Sequence, residues 1–254
     1  MMKELINKSF GDEAAEVINL YEKYELAKNK DIVMFGNNFY TPNVWKWFLK
    51  HCNDSNDIVQ CSGVFKEAER CMISFNNKYY APFPFLCIKI TNKSKFNELN
   101  HKDYLGAVLS LGIQRNKIGD LIVEDNCCYL AAQEEIADYI IYNLEKIGRT
   151  TCKVEVINEE QDFPRVHFKE EIILIPSLRL DALVGKLCNI TRAKAVAMIE
   201  QGMVLADYNT IREKSYEVKS DERITIRRKG KYIIGNIVGK SKSDKIKLCV
   251  KKYT

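Results

Sequence analysis

Two arginines, Arg179 and Arg192, stand at the predicted starts of two short helices in the C-terminal third of the chain. Leucines and valines recur with helical spacing after Arg179, and Thr191 is placed to cap a second helix that Gly202 ends. Arginine at a helix start opposes the helix dipole, which favours a role other than helix stability. A guanidinium binds phosphate through a fork of hydrogen bonds, and no residue nearby in sequence obviously neutralises both arginines. The pattern therefore predicts two exposed cations on one small module, in positions that suggest a role outside the helices themselves.

This segment resembles the S4 domain, a small RNA-binding module of a ribosomal protein and of several RNA-modifying enzymes. The likeness is carried by RLDALV from residue 179, TRAKAVAMIEQGMVLAD from 191, SYEV from 215 and ERITIR from 222. Asp207 stands where the family usually has Asn, and Asp221-Glu222 stands where it has Gly-Asp. Both departures fall in predicted turns, so they bear on hairpin geometry more than on the cations.

The resemblance implies that Arg179 and Arg192 are the principal RNA contacts, supported by Lys194. It also implies that Asp181 orients the first helix and Arg179 rather than touching RNA. The alternative is an amphipathic helical hairpin with solvated arginines, which the four matching elements in order make the weaker interpretation.

Charge is divided unevenly along the chain. Residues 177–254 hold 18 Lys and Arg against 8 Asp and Glu, which leaves 21 against 26 in residues 1–176. A basic C-terminal third on an acidic body is typical of a nucleic-acid contact. A predicted C-terminal hairpin places lysines on one face of its last strand, where they could follow phosphates or merely guard a solvated edge strand. The further candidate contacts in this third are Lys214, Arg227, Arg228, Lys245, Lys247 and Lys251.

The middle of the chain alternates strand and helix signals in the order βαββαβ, which predicts a ferredoxin-like or RRM-like sandwich. Its second helix is expected over residues 134–147. Only Tyr129 offers an aromatic ring on the central strands, so base stacking on the sheet is not favoured.

The run HKDYLGAVLSLGIQRNKIGDL from His101 resembles the middle domain of YlmH-type proteins. Those proteins have a helical start, an RRM-like centre and a C-terminal S4 domain. Arg115 and Lys117 in this run are candidate phosphate contacts, whereas Gly112, Gly119 and Asp120 are expected only to shape a turn.

The fold class expected is α+β, with a βαββαβ middle domain and a C-terminal S4 domain that carries an extra β-hairpin. The expected parts are a mainly helical domain at 1–78, the RRM-like domain at 79–160, a linker or connecting strand at 161–176, and the S4 domain with its basic extension at 177–254.

Catalytic features are few. Nine cysteines without a Cys-x-x-Cys pair indicate free thiols in a reducing cytosol. No Gly-x-Gly-x-x-Gly motif follows a strand, and Lys240-Ser241-Lys242-Ser243 only superficially resembles a synthetase loop. We expect no catalytic residue, metal or cofactor, and a cytoplasmic monomer without a membrane partner.

The expected function is non-catalytic binding of structured RNA. By resemblance the target is rRNA of the large ribosomal subunit, with tRNA as a second contact, in the quality control of stalled subunits. An S4-bearing pseudouridine synthase or methyltransferase and a cell-division scaffold stay open as alternatives.

Overall fold

A computed structural model describes residues 2–53, 58–94, 97–158, 163–165 and 168–253. The chain divides into two compact units, residues 1–165 and 166–254. Of the predicted linker or connecting strand at 161–176, residues 161, 162, 166 and 167 lie outside the described residues.

The first unit begins with helices that pack around an aromatic core. Its helices and strands, with one turn of 3-10 helix at Gly11–Glu13 between the first two, are α1 (Met2–Phe10), α2 (Ala14–Lys30), β1 (Met34–Phe35), α3 (Pro42–His51), β2 (Val59–Ser62) and β3 (Met72–Phe75). The strands form an antiparallel sheet in the order β1-β3-β2. Phe48 and Phe75 are among the most deeply buried side chains. The predicted helical start therefore also carries a small sheet.

The unit continues into a ferredoxin-like sandwich. Its elements are β4 (Phe85–Asn92), α4 (His101–Ser110), β5 (Ile118–Glu124), β6 (Cys127–Gln133), α5 (Glu134–Asn143), β7 (Lys146–Ile147) and β8 (Thr150–Ile157). The strand order is β5-β6-β4-β8-β7, and each neighbouring pair is antiparallel. The predicted βαββαβ order is confirmed.

The predicted length of the second helix is wrong. The helix ends at Asn143, and residues 146–147 instead pair with Thr150 and Thr151 across a turn in which Gly148 has a φ of 58°. Leu144 and Ile147 are buried as a helical pattern would bury them. Over so few residues, hydrophobic spacing alone did not distinguish a continued helix from a short strand.

Asp120 joins the start of the first unit to its sandwich. Its carboxylate accepts hydrogen bonds from the backbone N–H groups of Glu69 (2.5 Å) and Arg70 (3.3 Å). Beside it, a Cβ on Gly119 would lie 2.9 Å from side-chain atoms of both Phe39 and Ala131. The expectation that these residues only shape a turn is wrong, because they allow and fix a contact between distant parts of the chain.

The second unit contains two helices and one six-stranded sheet. Its elements are β9 (Phe168–Ile175), α6 (Leu180–Cys188), α7 (Arg192–Glu200), β10 (Val204–Ala206), β11 (Asn209–Ile211), β12 (Arg223–Ile226), β13 (Gly230–Lys240) and β14 (Ile246–Tyr253). The strand order is β11-β10-β12-β13-β14-β9. A single core joins the helices to the sheet, from Leu180 and Ile199 to Val250.

The predicted C-terminal hairpin is formed by β13 and β14. However, β14 also pairs along its whole length with β9, so it is an interior strand of the sheet. The alternative that its lysines guard a sheet edge is therefore wrong. The sequence did not reveal this because the partner strand lies about 80 residues upstream, before the two helices.

The two turns in which the chain departs from the S4 pattern are both formed. Asp207 and Tyr208 have φ values of 40° and 69°, which suits the two-residue turn between β10 and β11. Asp207 Oδ1 accepts a hydrogen bond from the N–H of Arg223 (3.0 Å). Glu222 is buried and accepts hydrogen bonds from the Tyr216 hydroxyl and, at 3.0 Å, from the N–H of Lys219. The α+β class is confirmed by these helices and sheets.

Candidate nucleic-acid interface

Asp181 joins the two arginines singled out in the sequence. Arg179 donates from Nε to Oδ1 (3.2 Å) and from Nη2 to Oδ2 (2.9 Å). Arg192 donates to Oδ2 from Nε (3.1 Å) and Nη2 (2.9 Å). The expectation that nothing neutralises both arginines is wrong, since one carboxylate holds both. We call these three residues the Asp181 cluster.

Burial within the cluster is graded. The side chain of Asp181 is 1% exposed, whereas those of Arg179 and Arg192 are 35% and 67% exposed. The carboxylate therefore lies beneath the guanidiniums, and the surface of the cluster is cationic with a net charge of +1. Asp181 orients Arg179, as expected, and it orients Arg192 as well.

The electrostatics of the cluster favour the charged forms of Asp181 and Arg179. Hydrogen bonds from Arg179, and then from Arg192, hold the pKa of Asp181 below its usual range. The same carboxylate raises the pKa of Arg179. The ion pair between Arg179 and Asp181 is thus stabilised in its charged form.

Local structure brings Lys214 and Lys194 towards the cluster. The first amides of α6 donate outside the helix, from Leu180 to the carbonyl of Tyr216 (2.8 Å) and from Asp181 to that of Lys214 (3.4 Å). Residue 214 therefore crosses the start of α6. Lys194 lies in the first turn of α7, where its N–H donates to Thr191 Oγ1 (3.4 Å). The side chains of both lysines are exposed.

Arg227 and Arg228 lie elsewhere in the unit. The N–H of Arg227 donates to the carbonyl of Met203 (2.9 Å), just beyond the C-terminal end of α7. Because α7 has nine residues, this end is about 13 Å from Arg192. Both arginines are exposed in the turn between β12 and β13.

The lysines of the last strand are not equivalent. Lys245 and Lys247 are exposed, and Lys247 lies opposite Leu174 of β9. Lys251 lies opposite Glu170 and pairs with it, with 3.3 Å between Nζ and Oε1. Part of its charge is therefore satisfied within the sheet, whereas Lys247 presents its charge to solvent.

Arg115 and Lys117 belong to the first unit and anchor its loops. Arg115 donates from Nη1 to the carbonyls of Ile118 (2.7 Å) and Gly119 (3.0 Å). Lys117 donates from Nζ to the carbonyl of Asn37 (3.0 Å). These bonds give both side chains a structural use, and their contact with RNA stays a prediction.

The helix-free face of the sandwich is partly covered by the chain's own start. Phe85 on this face packs against Phe39, with 5.7 Å between ring centroids. Tyr129 lies beneath Lys89, whose Nζ is 5.3 Å from the ring centroid. This arrangement agrees with the expectation that base stacking on this sheet is not favoured.

The described residues lack two kinds of feature that the sequence did not lead us to expect. None of the described helices is long and apolar enough to cross a membrane. Within the same residues, no group of three or more His, Cys, Asp or Glu side chains is placed to hold a metal ion.

Comparison with known proteins finds similarity to YlmH-type proteins. Residues 81–161 match the family model of the putative RNA-binding domain in YlmH. The ribosome-associated protein quality control protein P2 of Bacillus subtilis (strain 168) is 26% identical over 189 residues, which is 72% of this chain and 74% of that protein.

A solved structure supports the same fold. The cell division protein ylmH from Streptococcus pneumoniae is 20% identical, with a TM-score of 0.50, and the match covers 61% of this chain and 96% of that one. The family model spans the sandwich from β4 to β8, and the quality control protein matches most of the chain. The chain is therefore similar to YlmH-type proteins, in its sandwich by the family model and over most of its length by the quality control protein.

Proposed function

We propose that this protein binds structured RNA without catalysing a reaction, and that residues 177–254 form its main RNA contact as an S4 domain. The proposed target is rRNA of the large ribosomal subunit, with tRNA as a second contact. The cellular role that fits is the quality control of stalled subunits in the cytoplasm, the process named for the B. subtilis relative.

The Asp181 cluster is the observation that carries this proposal. Two guanidiniums held over one buried carboxylate keep a fixed separation, and each retains an exposed surface. Fixed cations recognise the spacing of phosphates in a folded RNA better than flexible ones, because less side-chain entropy is lost on binding. Lys194 and Lys214 at the same helix starts extend the cationic surface.

The choice of structured rather than single-stranded RNA rests on the aromatic residues. Proteins that bind single strands usually stack bases on aromatic side chains. In the second unit, Tyr216 and Tyr232 pack in or against the hydrophobic core. The half-buried rings of Tyr208 and Tyr253 lie against Lys231, whose Nζ is 5.2 and 5.4 Å from their centroids, so these rings are already engaged within the protein. Shape and phosphate spacing are then the features that this surface can recognise.

Crosslinking in cells followed by sequencing of the bound RNA tests the target. Wild-type protein should crosslink to large-subunit rRNA, and Arg179→Gln/Arg192→Gln should lose most of these crosslinks. Glutamine is chosen because its amide can still donate to Asp181. Crosslinks spread over messenger RNA, or equal in the two proteins, would contradict the proposal.

A further inference from the structure

A pair of adjacent tyrosines in the first unit is almost fully exposed. Tyr79 is 90% exposed and Tyr80 is 80% exposed, in the loop between β3 and β4. Aromatic rings bury more apolar surface than most side chains, so two neighbouring rings in water are an unusual cost for a folded protein. We call residues 76–81 the tyrosine loop.

The tyrosine loop is held in place by Asn77. Asn77 is 1% exposed, its Oδ1 accepts a hydrogen bond from the N–H of Ala81 (2.7 Å), and its Nδ2 donates to the carbonyl of Ala81 (2.9 Å). Tyr80 has a φ of 55°, a left-handed conformation that is costly for an aromatic residue. The loop therefore presents its rings in an ordered, strained conformation rather than as a loose tip.

The surroundings of the tyrosine loop are basic, although residues 1–176 are acidic as a whole. Asn76 donates to Asp31 Oδ1 (2.9 Å), which brings the loop to the end of α2. Lys28 and Lys30 are exposed in the last turn of that helix, and Lys78 pairs with Asp31 at 2.6 Å. Three lysines and one aspartate thus lie on the loop or at the helix end to which Asn76 holds it.

From the exposed rings and the lysines on the loop and at the end of α2, we propose that the tyrosine loop binds an unpaired nucleobase of RNA, with Tyr79 and Tyr80 stacking on the base and the lysines contacting adjacent phosphates. Every base offers a face to an aromatic ring, and cations beside the ring suit the flanking phosphates. A protein partner fits less well, since two rings and the half-exposed Ile32 are far smaller than the roughly 800 Å² that a stable interface buries on each partner. The inference rests on the proposed RNA-binding function and adds a second contact of different chemistry.

The test compares two RNAs with the full-length protein. One is a blunt hairpin, and the other is the same hairpin with a short unpaired 3′ extension. Tyr79→Ala and Tyr80→Asn should each weaken binding of the extended hairpin by about 5- to 150-fold and leave the blunt hairpin unchanged. Asparagine is chosen at position 80 because it tolerates a left-handed backbone. Tyr79→Phe should bind as the wild type does.

Tyr142→Ala is the matched control, because Tyr142 is 83% exposed but lies on α5, whose charged residues are all acidic. It should bind both RNAs normally. The proposal is overturned if Tyr79→Ala and Tyr80→Asn bind the extended hairpin as the wild type does, as a protein-docking surface would require, or if they weaken both RNAs equally. Arg179→Gln/Arg192→Gln should weaken both RNAs; normal binding by that variant would overturn the proposed function separately.

Discussion

Asp181 holds the side chains of Arg179 and Arg192 next to each other, so that they form one cationic surface. Without the carboxylate, two guanidiniums at adjacent helix starts would repel each other and rotate apart. Each instead makes two hydrogen bonds to a side chain that is 1% exposed. Asp181 is therefore a positioning residue whose effect on RNA passes through the arginines.

Replacing Asp181 with Asn should destabilise the second unit, because the buried anion that both arginines hydrogen-bond is lost. The expected cost is about 1.5–3 kcal/mol near neutral pH. Since the folded pKa of Asp181 is depressed, the stability it contributes is present above its unfolded pKa and is lost as pH falls through the folded value. The difference between the two proteins should thus shrink in acid, below about pH 4. Hydrogen exchange of the α6 and α7 amides at several pH values measures this, and a pH-independent difference would contradict it.

Replacing Arg192 with Ala should weaken RNA binding by about 1–3 kcal/mol with little loss of stability. Its side chain is 67% exposed, and Arg179 still satisfies the carboxylate after the change. Arg179→Ala should weaken binding to a similar extent. Lys219→Ala, an exposed lysine outside the cluster, is the control and should bind normally. A lower melting temperature with unchanged RNA affinity would assign the arginines a structural role only.

At the scale of elements, Asp120 connects two parts of the first unit that are 50 residues apart in sequence. Replacing Asp120 with Ala should leave the amides of Glu69 and Arg70 without their acceptor and destabilise this contact by about 1–3 kcal/mol. Hydrogen exchange at those amides should accelerate, whereas Asp138→Ala on the exposed face of α5 should not affect them. Unchanged exchange in Asp120→Ala would show that the packing of Phe39 alone holds the segment.

Two of the lysines of β14 should differ in their effect on RNA. Lys247 is exposed, whereas Lys251 pairs with Glu170 on the neighbouring strand. Lys247→Ala should flatten the logarithmic dependence of affinity on salt by about 0.7–0.9, the value for one lost phosphate contact. Lys251→Ala should change the slope less. Equal slopes for the two variants would contradict this distinction.

Elements with a strong local signal were predictable from the sequence, and contacts between distant elements were not. The helix starts at Arg179 and Arg192, the order of the sandwich and the C-terminal hairpin all follow from hydrophobic spacing and turn residues. The end of α5 was not predictable, because Leu144 and Ile147 continue the helical pattern while residues 146–147 pair with the next strand.

The candidate site shows the same limit. The sequence identified its cations, but the bond between Asp181 and Arg192 spans eleven residues and depends on how α6 and α7 pack. The motif itself holds a usable signal, since an acidic residue two positions after the first arginine is a natural partner for both. No sequence pattern indicated that β9 would cover the edge of β14, or that Tyr79 and Tyr80 would be exposed on an ordered loop.

At the scale of the whole molecule, positive and negative charges are concentrated in different parts of the chain. The last 78 residues carry a net charge of +10, and the preceding 176 carry −5. RNA affinity should therefore reside mainly in residues 177–254 and fall steeply with salt. The acidic residues 1–176 are expected to limit non-specific binding, because their net negative charge repels RNA phosphates.

Gradient sedimentation with purified large ribosomal subunits tests the central claim that the Asp181 cluster attaches the protein to this particle. Wild-type protein should migrate with the particles at low salt and leave them as salt rises. Arg179→Gln/Arg192→Gln should stay at the top of the gradient, and Lys219→Ala should migrate as the wild type does. Attachment through the Asp181 cluster is contradicted if wild-type protein remains separate from the particles at every salt concentration, or if the double variant sediments with them as the wild type does.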